Sequence, residues 1–267
     1  MKSVVENQAP AVKAERHQDS DFWLEMFALF IHDIESPLAS MKYLLKIADE
    51  GKLSLQKPTH QRLVRSSKIA VERAEAILYD IMAVAKSGKA GLPVMLTELD
   101  PIDIVKESIA LAEASAEENG ITIRSDVGTG GWDVVADPTL LKRTMDNLLF
   151  NAIRHTPRGG TISVYVKCAD ESLYISVKDS GDGLGDIPPD QLFEKYGQIQ
   201  LRAAGRHRGV GLGLYFCRLA ATGMGGTVFA DDHPEGGAVF TLRLRRTENR
   251  KPAAQKQDDV LVEDSTS

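Results

Sequence analysis

Two long stretches of this chain carry a seam of mostly apolar residues spaced at alternating steps of three and four. This spacing keeps each seam on one side of an α-helix and predicts two helices that pack along their seams. The first helix is expected to run from an N-cap among residues 19–21 to about Glu50, where Gly51 ends it. The first seam is Leu24, Phe27, Ile31, Ile34, Leu38, Met41, Leu45 and Ala48, and the second is Leu63, Ser67, Ala70, Ala74, Ile77, Ile81 and Val84.

A short link joins the first helix to the second, which is predicted to begin near Pro58. Two helices connected in this way form an antiparallel hairpin. The first helix carries further apolar residues beyond its seam, so one hairpin would expose much apolar surface. We therefore expect a symmetric dimer that forms a four-helix bundle, and the alternative is a single hairpin covered by the rest of the chain. The additional apolar residues are Phe22, Trp23, Phe30 and Leu44.

The pattern changes after Leu92-Pro93 to alternating strands and helices. All of these helices could lie on one face of a mostly antiparallel sheet, so we expect an α+β fold in which a helical hairpin is followed by an α/β sandwich. The predicted strands span residues 94–99, 121–127, 132–136, 161–168, 173–178, 225–231 and 237–245, and the predicted helices span residues 101–119, 138–156, 190–197 and 209–222.

Composition limits the classes of function. The 267 residues carry a formal net charge of -6, which argues against nucleic-acid binding as the main task. No apolar run approaches the roughly 20 residues that a membrane span requires, and the N-terminus lacks the apolar core of a signal peptide. Cys168 and Cys217 are far apart in sequence and are expected to be free thiols of a reducing compartment. We expect a cytoplasmic protein with no direct membrane span, in which residues 1–19 and 247–267 are disordered.

A glycine-rich segment opens the last predicted helix, at Gly209, Gly211 and Gly213. Glycines let backbone N–H groups approach phosphate oxygens, and a helix N-terminus favours negative charge. The segment lacks the Gly-Lys-Ser/Thr of a P-loop and the preceding strand of a Rossmann turn. By itself the segment is a weak signal, because glycine-rich strand-to-helix turns are common.

A second glycine-rich segment, residues 179–185, follows a predicted strand. A carboxylate at a strand end, here Asp179, can accept a hydrogen bond from an exocyclic amine such as that of adenine. Gly181 and Gly183 then leave room for a flat ring. The alternative is a turn rich in Asp and Gly, which is common at strand ends.

The predicted helix 138–156 carries a set of polar residues at helical spacing. Asn147, Asn151 and Arg154 share one face, and His155 lies next to them. Amide oxygens suit Mg²⁺, which bridges phosphates, and an arginine neutralises phosphate charge. Solvent-exposed asparagines on a helix surface remain the alternative.

The motifs occur together in one order, and in that order the chain resembles the catalytic core of bacterial sensor histidine kinases. The resemblance covers residues ~20 to ~246 and includes the GHKL nucleotide-binding fold shared by gyrase, Hsp90 and MutL-type ATPases. Residues 32–38 resemble the phosphoacceptor box, 146–156 the asparagine box, 179–185 the first glycine box, 192–196 the phenylalanine box and 209–214 the second glycine box.

This resemblance implies a role for each matching residue. His32, one residue past a seam position, would accept the γ-phosphoryl group of ATP, and Asp33 would orient or deprotonate its imidazole. Ser36 stands where the family usually has Thr or Asn and would take part in dephosphorylating the partner. Glu35 departs from the family, which often has a basic residue at this position.

The resemblance also implies the nucleotide contacts. Asn151 would ligate Mg²⁺ with Asn147 beside it, and Asp179 would bind the adenine amine. Arg154, His155 and the two glycine boxes would complete the ATP site. Residues 194–208 would form a lid, whose arginines either contact phosphate or stay in solvent: Arg202, Arg206 and Arg208.

The implied protein is a two-component histidine kinase that uses ATP and Mg²⁺. Its implied domains are a dimerisation and phosphotransfer hairpin, residues 20–88, and a catalytic ATP-binding domain, residues 89–246. Its implied partners are a second copy of the chain and the receiver domain of a response regulator. Two alternatives remain at this point: a non-catalytic scaffold of the same fold, and a GHKL-type ATPase or Ser/Thr kinase.

Overall fold

The computed structural model describes residues 35, 38, 39, 41–87, 91–195 and 212–247. Helical residues 41–49 form α1, and Gly51 adopts a φ of +65° directly after it. The backbone N–H groups of Lys52 and Leu53 then donate to the Ile47 carbonyl at 2.9 and 3.0 Å, which closes the helix end. Helix α2, Pro58–Ser87, follows a short link, so both predicted helix boundaries at this link are confirmed.

A mixed five-stranded sheet forms the centre of the α/β part. Its strands, β2 and β4 to β7, stand in the order β2-β4-β5-β7-β6. The pair β2–β4 is parallel and the other three pairs are antiparallel. These strands are β2 Thr122–Asp126, β4 Thr161–Ala169, β5 Ser172–Lys178, β6 Thr227–Asp232 and β7 Ala238–Arg245.

Three helices pack against this sheet and against each other: α3 Ile102–Glu118, α4 Pro138–His155 and α5 Leu212–Gly223. Strand register places Val164 opposite Val177 and Val177 opposite Phe240, so apolar residues of successive strands line up on one face. All three side chains are buried in one core with the apolar faces of the helices. Burial of this face is the main stabilising contribution to the fold.

Two predicted elements differ from the structure. The strand expected over 94–99 is shortened to β1, Thr97–Leu99, which pairs antiparallel with β3, Val134–Ala136, in a separate two-stranded sheet. It begins late because the Met95 N–H donates to the Asp137 carboxylate at 2.8 Å and not to a strand. The helix expected over 190–197 is one 3₁₀ turn, Pro189–Phe193.

Helix α2 contacts the α/β part directly. It packs against α5, and the Asp80 carboxylate of α2 lies 3.1 Å from the Arg143 guanidinium of α4. Asp80 is only 4% exposed. Among the described residues, no helix has both the length and the apolar character that crossing a membrane requires.

Candidate nucleotide-binding site

Helix α4 carries the polar residues that the sequence singled out. Asp137 caps its N-terminus, because Oδ1 accepts hydrogen bonds from the N–H groups of Thr139 and Leu140 at 2.9 and 3.0 Å. Pro138 occupies the first turn, where its missing N–H has no cost. These local signals fix the start of the helix, and with it the direction in which Asn147 and Asn151 point.

One cavity of about 360 Å³ lies between the C-terminal half of α4 and the loop after β5. This volume is within the range of small-molecule and cofactor sites. Aliphatic, aromatic and carboxylate side chains together line it, as a heteroaromatic ring with polar edges would require. The lining residues are Asn151, His155, Asp179, Asp182, Gly183, Leu184, Gly185, Asp186, Ile187, Leu192, Ala238 and Phe240.

Asp179 is the most deeply buried carboxylate of this cavity, at 1% exposure. Its Oδ1 accepts the backbone N–H groups of Gly181 at 2.8 Å and Ala238 at 3.3 Å. Burial raises the pKa of this carboxyl, while the two backbone donors and nearby His155 lower it. Since both donors bind Oδ1, Oδ2 is the oxygen left to accept a hydrogen bond from a ligand.

Glycines around Asp179 allow backbone segments to approach closely. Gly237 has a φ of +83°, and a Cβ at this position would overlap the Asp179 carbonyl. A Cβ on Gly181 would overlap the His155 carbonyl at the end of α4. Both glycines are needed for the loop after β5, the strand β7 and the helix α4 to meet at the cavity.

Asp232 of β6 holds the same loop from the other side. Its Oδ1 accepts the Leu184 N–H at 2.6 Å. Gly183, with a φ of +77°, passes so close that an added Cβ would lie 2.5 Å from that oxygen. Sequence reasoning missed Asp232, although an aspartate ending a strand opposite a glycine loop is a signal that could have been used.

The predicted α4 residues separate into two groups. Asn151 and His155 line the cavity. Asn147 lies further toward the helix start, where its Nδ2 donates to the Asp80 carboxylate at 3.0 Å. Arg154 is exposed and is not among the residues that line the cavity.

Sequence reasoning also missed the residues that surround Asn147. Asp80 accepts from Arg143 and Asn147, and the Arg143 guanidinium lies 3.8 Å from the centre of the Tyr79 ring. Burial raises the pKa of Asp80 to about 6, although Arg143 and Asn147 lower it. Asp80 directly precedes the seam residue Ile81, and a carboxylate beside a packing seam was the available signal.

Gly213 opens the first turn of α5 next to Asn147. A Cβ on Gly213 would lie 2.9 Å from Asn147 Oδ1, so this amide oxygen faces the start of α5. The described residues thus place part of the second glycine motif beside the asparagine motif. The remaining predicted residues lie outside the described part of the chain: His32, Asp33, Ser36, Arg202, Arg206, Arg208, Gly209 and Gly211.

The donor set suits a hydrated Mg²⁺ carried by phosphates. The Asn151 amide at the cavity offers a neutral, hard oxygen, which is the kind of ligand Mg²⁺ accepts beside waters and phosphate oxygens. Among the described residues, no group of three or more His, Cys, Asp and Glu side chains could hold a metal by itself. The Asn151 amide would supply one oxygen ligand to such a metal.

Comparison with known proteins agrees with this geometry. Residues 136–248 match the family model for histidine kinase-, DNA gyrase B- and HSP90-like ATPases. The adaptive-response sensory kinase SasA of Synechocystis is 27% identical over 237 residues, which cover 87% of this chain and 61% of the relative. The chain spans 37% to 62% of the length of such relatives.

Solved structures share the fold. Full-length ShkA in complex with AMPPNP matches with a TM-score of 0.58 and 20% identity, covering 88% of this chain and 47% of that one. Histidine kinase ThkA in complex with the response regulator TrrA matches with a TM-score of 0.52 and 23% identity, covering 92% and 68%. Residues 136–248 thus resemble the histidine kinase-, DNA gyrase B- and HSP90-like ATPases, and the chain as a whole is similar to proteins named as sensor histidine kinases.

Proposed function

We propose that this chain is an ATP-dependent protein histidine kinase of a two-component system. It phosphorylates His32 from Mg-ATP and passes the phosphoryl group to an aspartate of a response-regulator receiver domain. The observation that carries the proposal is the buried Asp179 carboxylate, whose Oδ2 remains for a ligand in a cavity of nucleotide-site size. The similarity to sensor histidine kinases supports this reaction class.

The cavity suits an adenine ring. The exocyclic amine of adenine is a donor, and Asp179 Oδ2 is a buried acceptor. Leu184, Ile187 and Phe240 supply apolar surface for the two faces of the ring. A site built around one buried acceptor discriminates strongly against rings that lack the matching donor, because the acceptor would stay unpaired.

Asn151 and the start of α5 serve the phosphate end of ATP in this proposal. Asn151 follows Asn147 by one helical turn on α4, between the adenine end and Gly213. When Mg²⁺ is bound, it neutralises charge on the phosphates and holds them in position. The backbone N–H groups at the start of a helix favour the same negative charge.

His32 is the nucleophile of the proposed reaction. A neutral imidazole is abundant at cell pH, because the unperturbed pKa of histidine is about 6.5. One ring nitrogen attacks the γ-phosphorus; the N–P bond forms, the bond to the ADP oxygen breaks, and the proton on the other ring nitrogen passes toward Asp33. Ser36, four residues later, would position a water that hydrolyses the aspartyl phosphate of the response regulator to carboxylate and inorganic phosphate.

Residues 20–88 act as the dimerisation and phosphotransfer hairpin, and residues 89–246 as the catalytic domain. Exposed apolar side chains on both described hairpin helices support a bundle with a second copy of the chain. Leu45 is 64% exposed on α1, and Leu78 and Met82 are 45% and 53% exposed on α2. Covering exposed apolar side chains of this kind is the usual reason for two hairpins to form a four-helix bundle.

The proposed partner is a receiver domain that docks beside His32. The related fold of ThkA is known in complex with its response regulator, which supports this class of partner. Phosphohistidine is a suitable donor because its N–P bond transfers readily to a carboxylate oxygen. The receiver aspartate would take the phosphoryl group and leave His32 free for another cycle.

Incubation with γ-labelled ATP and Mg²⁺ tests the proposal. We expect label that is labile to acid and stable to base, and its loss in His32→Ala. His60→Gln is the matched control. His60 also lies on the hairpin, but its Nδ1 accepts a hydrogen bond from the backbone N–H of Ser54, a residue of the link before α2. Acid-stable label would indicate a Ser/Thr kinase, and binding of ATP with no label at all would indicate a scaffold; either result contradicts the proposal.

A further inference from the structure

A buried polar contact joins α2 to the nucleotide-binding domain. Asp80 Oδ1 accepts from the Arg143 guanidinium at 3.1 Å, and Asp80 Oδ2 accepts from Asn147 Nδ2 at 3.0 Å. Arg143 also donates to the Ala76 carbonyl of α2 and stacks on Tyr79. One carboxylate of α2 therefore holds two side chains of α4 that lie one helical turn apart.

Aromatic packing closes this contact on the side of α5. The rings of Tyr79 and Phe216 meet edge to face with centroids 6.3 Å apart, and Phe216 is fully buried. The Arg143 guanidinium lies 5.8 Å from the centre of the Phe216 ring. The contact thus spans α2, α4 and α5, and water has little access to Asp80.

A contribution to the stability of the fold does not by itself account for this contact. Burial is the largest influence on Asp80 and raises its pKa to about 6, so the cost of removing the carboxylate from water exceeds what Arg143 and Asn147 return. Buried ion pairs of this kind are weak contributors to stability, and a role in fixing one arrangement is a better-supported use. The arrangement that Asp80 fixes is the orientation of Asn147.

An ionised carboxylate only accepts hydrogen bonds, so Asp80 selects the amide nitrogen of Asn147 for its own side. The amide oxygen must then point the opposite way. In the structure it faces Gly213, where a Cβ would come within 2.9 Å of Oδ1. Asn147 therefore bridges the hairpin helix and the first turn of α5, with its acceptor on the side of the nucleotide-binding domain.

We propose that Asp80 is a positioning residue of the nucleotide site, which turns the Asn147 oxygen toward the phosphate end and makes nucleotide affinity depend on the docking of α2. The inference rests on the proposed binding of ATP and adds a route by which the hairpin controls it. Undocking of α2 frees the amide of Asn147 to rotate. A nucleotide then meets a site in which this acceptor is no longer held in place.

Thermodynamic linkage requires that nucleotide binding in turn affects the docking of α2. If docking of α2 raises nucleotide affinity by some factor, nucleotide binding favours docking by the same factor. Nucleotide bound in the catalytic domain is therefore expected to stabilise residues 76–84, in the C-terminal half of α2. The two hydrogen bonds of the Asp80 carboxylate couple the docking of α2 to nucleotide affinity, and this coupling needs no change in the sheet.

The test is the affinity of the full chain for AMP-PNP with Mg²⁺, measured by calorimetry. Asp80→Asn keeps the shape of the side chain but removes the acceptor-only character and the charge that holds Arg143. We expect its Kd to rise on the order of tenfold, within the range of such couplings. Glu75→Gln is the matched control, since Glu75 is an exposed carboxylate on the same helix, and its Kd should equal that of the wild type.

A double-mutant cycle separates positioning from a general loss of structure. In an Asn147→Ala background, Asp80→Asn should cause no further rise in Kd, because Asp80 acts through Asn147. Additive effects of the two substitutions would overturn the inference. A wild-type Kd in Asp80→Asn would overturn it while leaving the proposed function intact, whereas a wild-type chain that binds no AMP-PNP would contradict both.

Amide hydrogen exchange of the wild-type chain keeps the inference testable if Asp80→Asn does not fold. Addition of AMP-PNP and Mg²⁺ should slow exchange over residues 76–84 of α2, which face α4 and α5 through Asp80 and Tyr79. Residues 62–70, nearer the start of α2, serve as the internal reference. Unchanged or faster exchange over residues 76–84 would overturn the inference.

Discussion

Asp179 and Asp80 are both buried carboxylates beside α4, but their partners come from different parts of the molecule. Asp179 accepts from two backbone N–H groups of its own domain, at Gly181 and Ala238. Asp80 accepts from two side chains that belong to another helix, Arg143 and Asn147. The fold itself therefore fixes the first carboxylate, whereas the second is fixed only while α2 is docked.

Burial raises the pKa of both carboxyl groups, which means that burial disfavours the charged form of each. Backbone donors keep Asp179 in place and leave Oδ2 for a ligand, as expected of a binding group on a rigid element. Side-chain donors occupy both oxygens of Asp80, as expected of a group that joins two elements. The same side chain is thus held by its own backbone surroundings in one region and shared between two helices in the other.

The largest effect is expected from Asp179→Asn. The amide oxygen can still accept from Gly181 and Ala238, but the amide nitrogen then faces the cavity and presents a donor to the adenine amine. We expect the Kd for AMP-PNP to rise on the order of a thousandfold, because the acceptor is lost and two donors oppose each other. Calorimetry measures this change, and the free energy of unfolding should stay close to that of the wild type.

Asp231→Asn provides the control for this substitution. Asp231 is an exposed aspartate on β6, so the same change of charge is made away from the cavity. Its Kd should match the wild type. An Asp179→Asn protein that binds AMP-PNP normally would show that Asp179 Oδ2 does not accept from the ligand, and the contrast with Asp80 would fail.

The pH dependence of stability should reveal Asp80 next. Its pKa is higher in the folded state than the ordinary 3.8, so the folded state holds this proton more tightly than the unfolded state. Between about pH 4 and 6 the free energy of unfolding therefore falls as pH rises, and Asp80 adds no further change above about pH 7. A rise in pKa from 3.8 to about 6 corresponds to roughly 3 kcal/mol.

Urea unfolding from pH 4 to 8 checks this expectation against Asp80→Asn, which cannot titrate at this position. The charged groups that act on Asp80 are Arg143, which lowers its pKa, and Asp146, which raises it. Burial and then the charge of Asp80 raise the pKa of the Cys217 thiol, so the two groups interact. The wild type should lose stability relative to the variant as pH rises, and a constant difference between the two would contradict the burial of Asp80.

The smallest effect is expected at Asp137, a third buried carboxylate that binds only backbone N–H groups. Asp137→Ala removes the N-cap of α4 and the bond to the Met95 N–H, which should lower the free energy of unfolding by about 1–2 kcal/mol. Nucleotide affinity should change little, since Asp137 lies at the far end of the helix from the cavity. Thermal unfolding and calorimetry measure the two quantities, and a large loss of affinity would contradict this division of roles.

Features with local causes were predictable from the sequence. The start of α4 follows from Asp137 and Pro138, and its end follows from Pro157. The cavity residues Asn151, His155 and Asp179 were predicted because their motifs keep a regular spacing and order. Local signals of this kind depend on a few neighbouring residues and are visible in one sequence.

Features that depend on distant residues were not predictable in this way. Asp80 is buried because α2 docks on α4, and its partners lie 63 and 67 residues further along the chain. The late start of β1 has a similar cause, since Asp137 captures the Met95 N–H across 42 residues. A propensity pattern does not show which long-range partner a backbone or side-chain group will find.

Gly237 limits how this protein can change over evolutionary time. Every other amino acid carries a Cβ, and at this position a Cβ would overlap the Asp179 carbonyl. Gly185 of the same cavity also has a positive φ, but the space around it is open, so a residue such as Asn could replace it at modest cost. Descendants of this chain can therefore vary the rim of the cavity, whereas loss of Gly237 requires the backbone around Asp179 to be rebuilt.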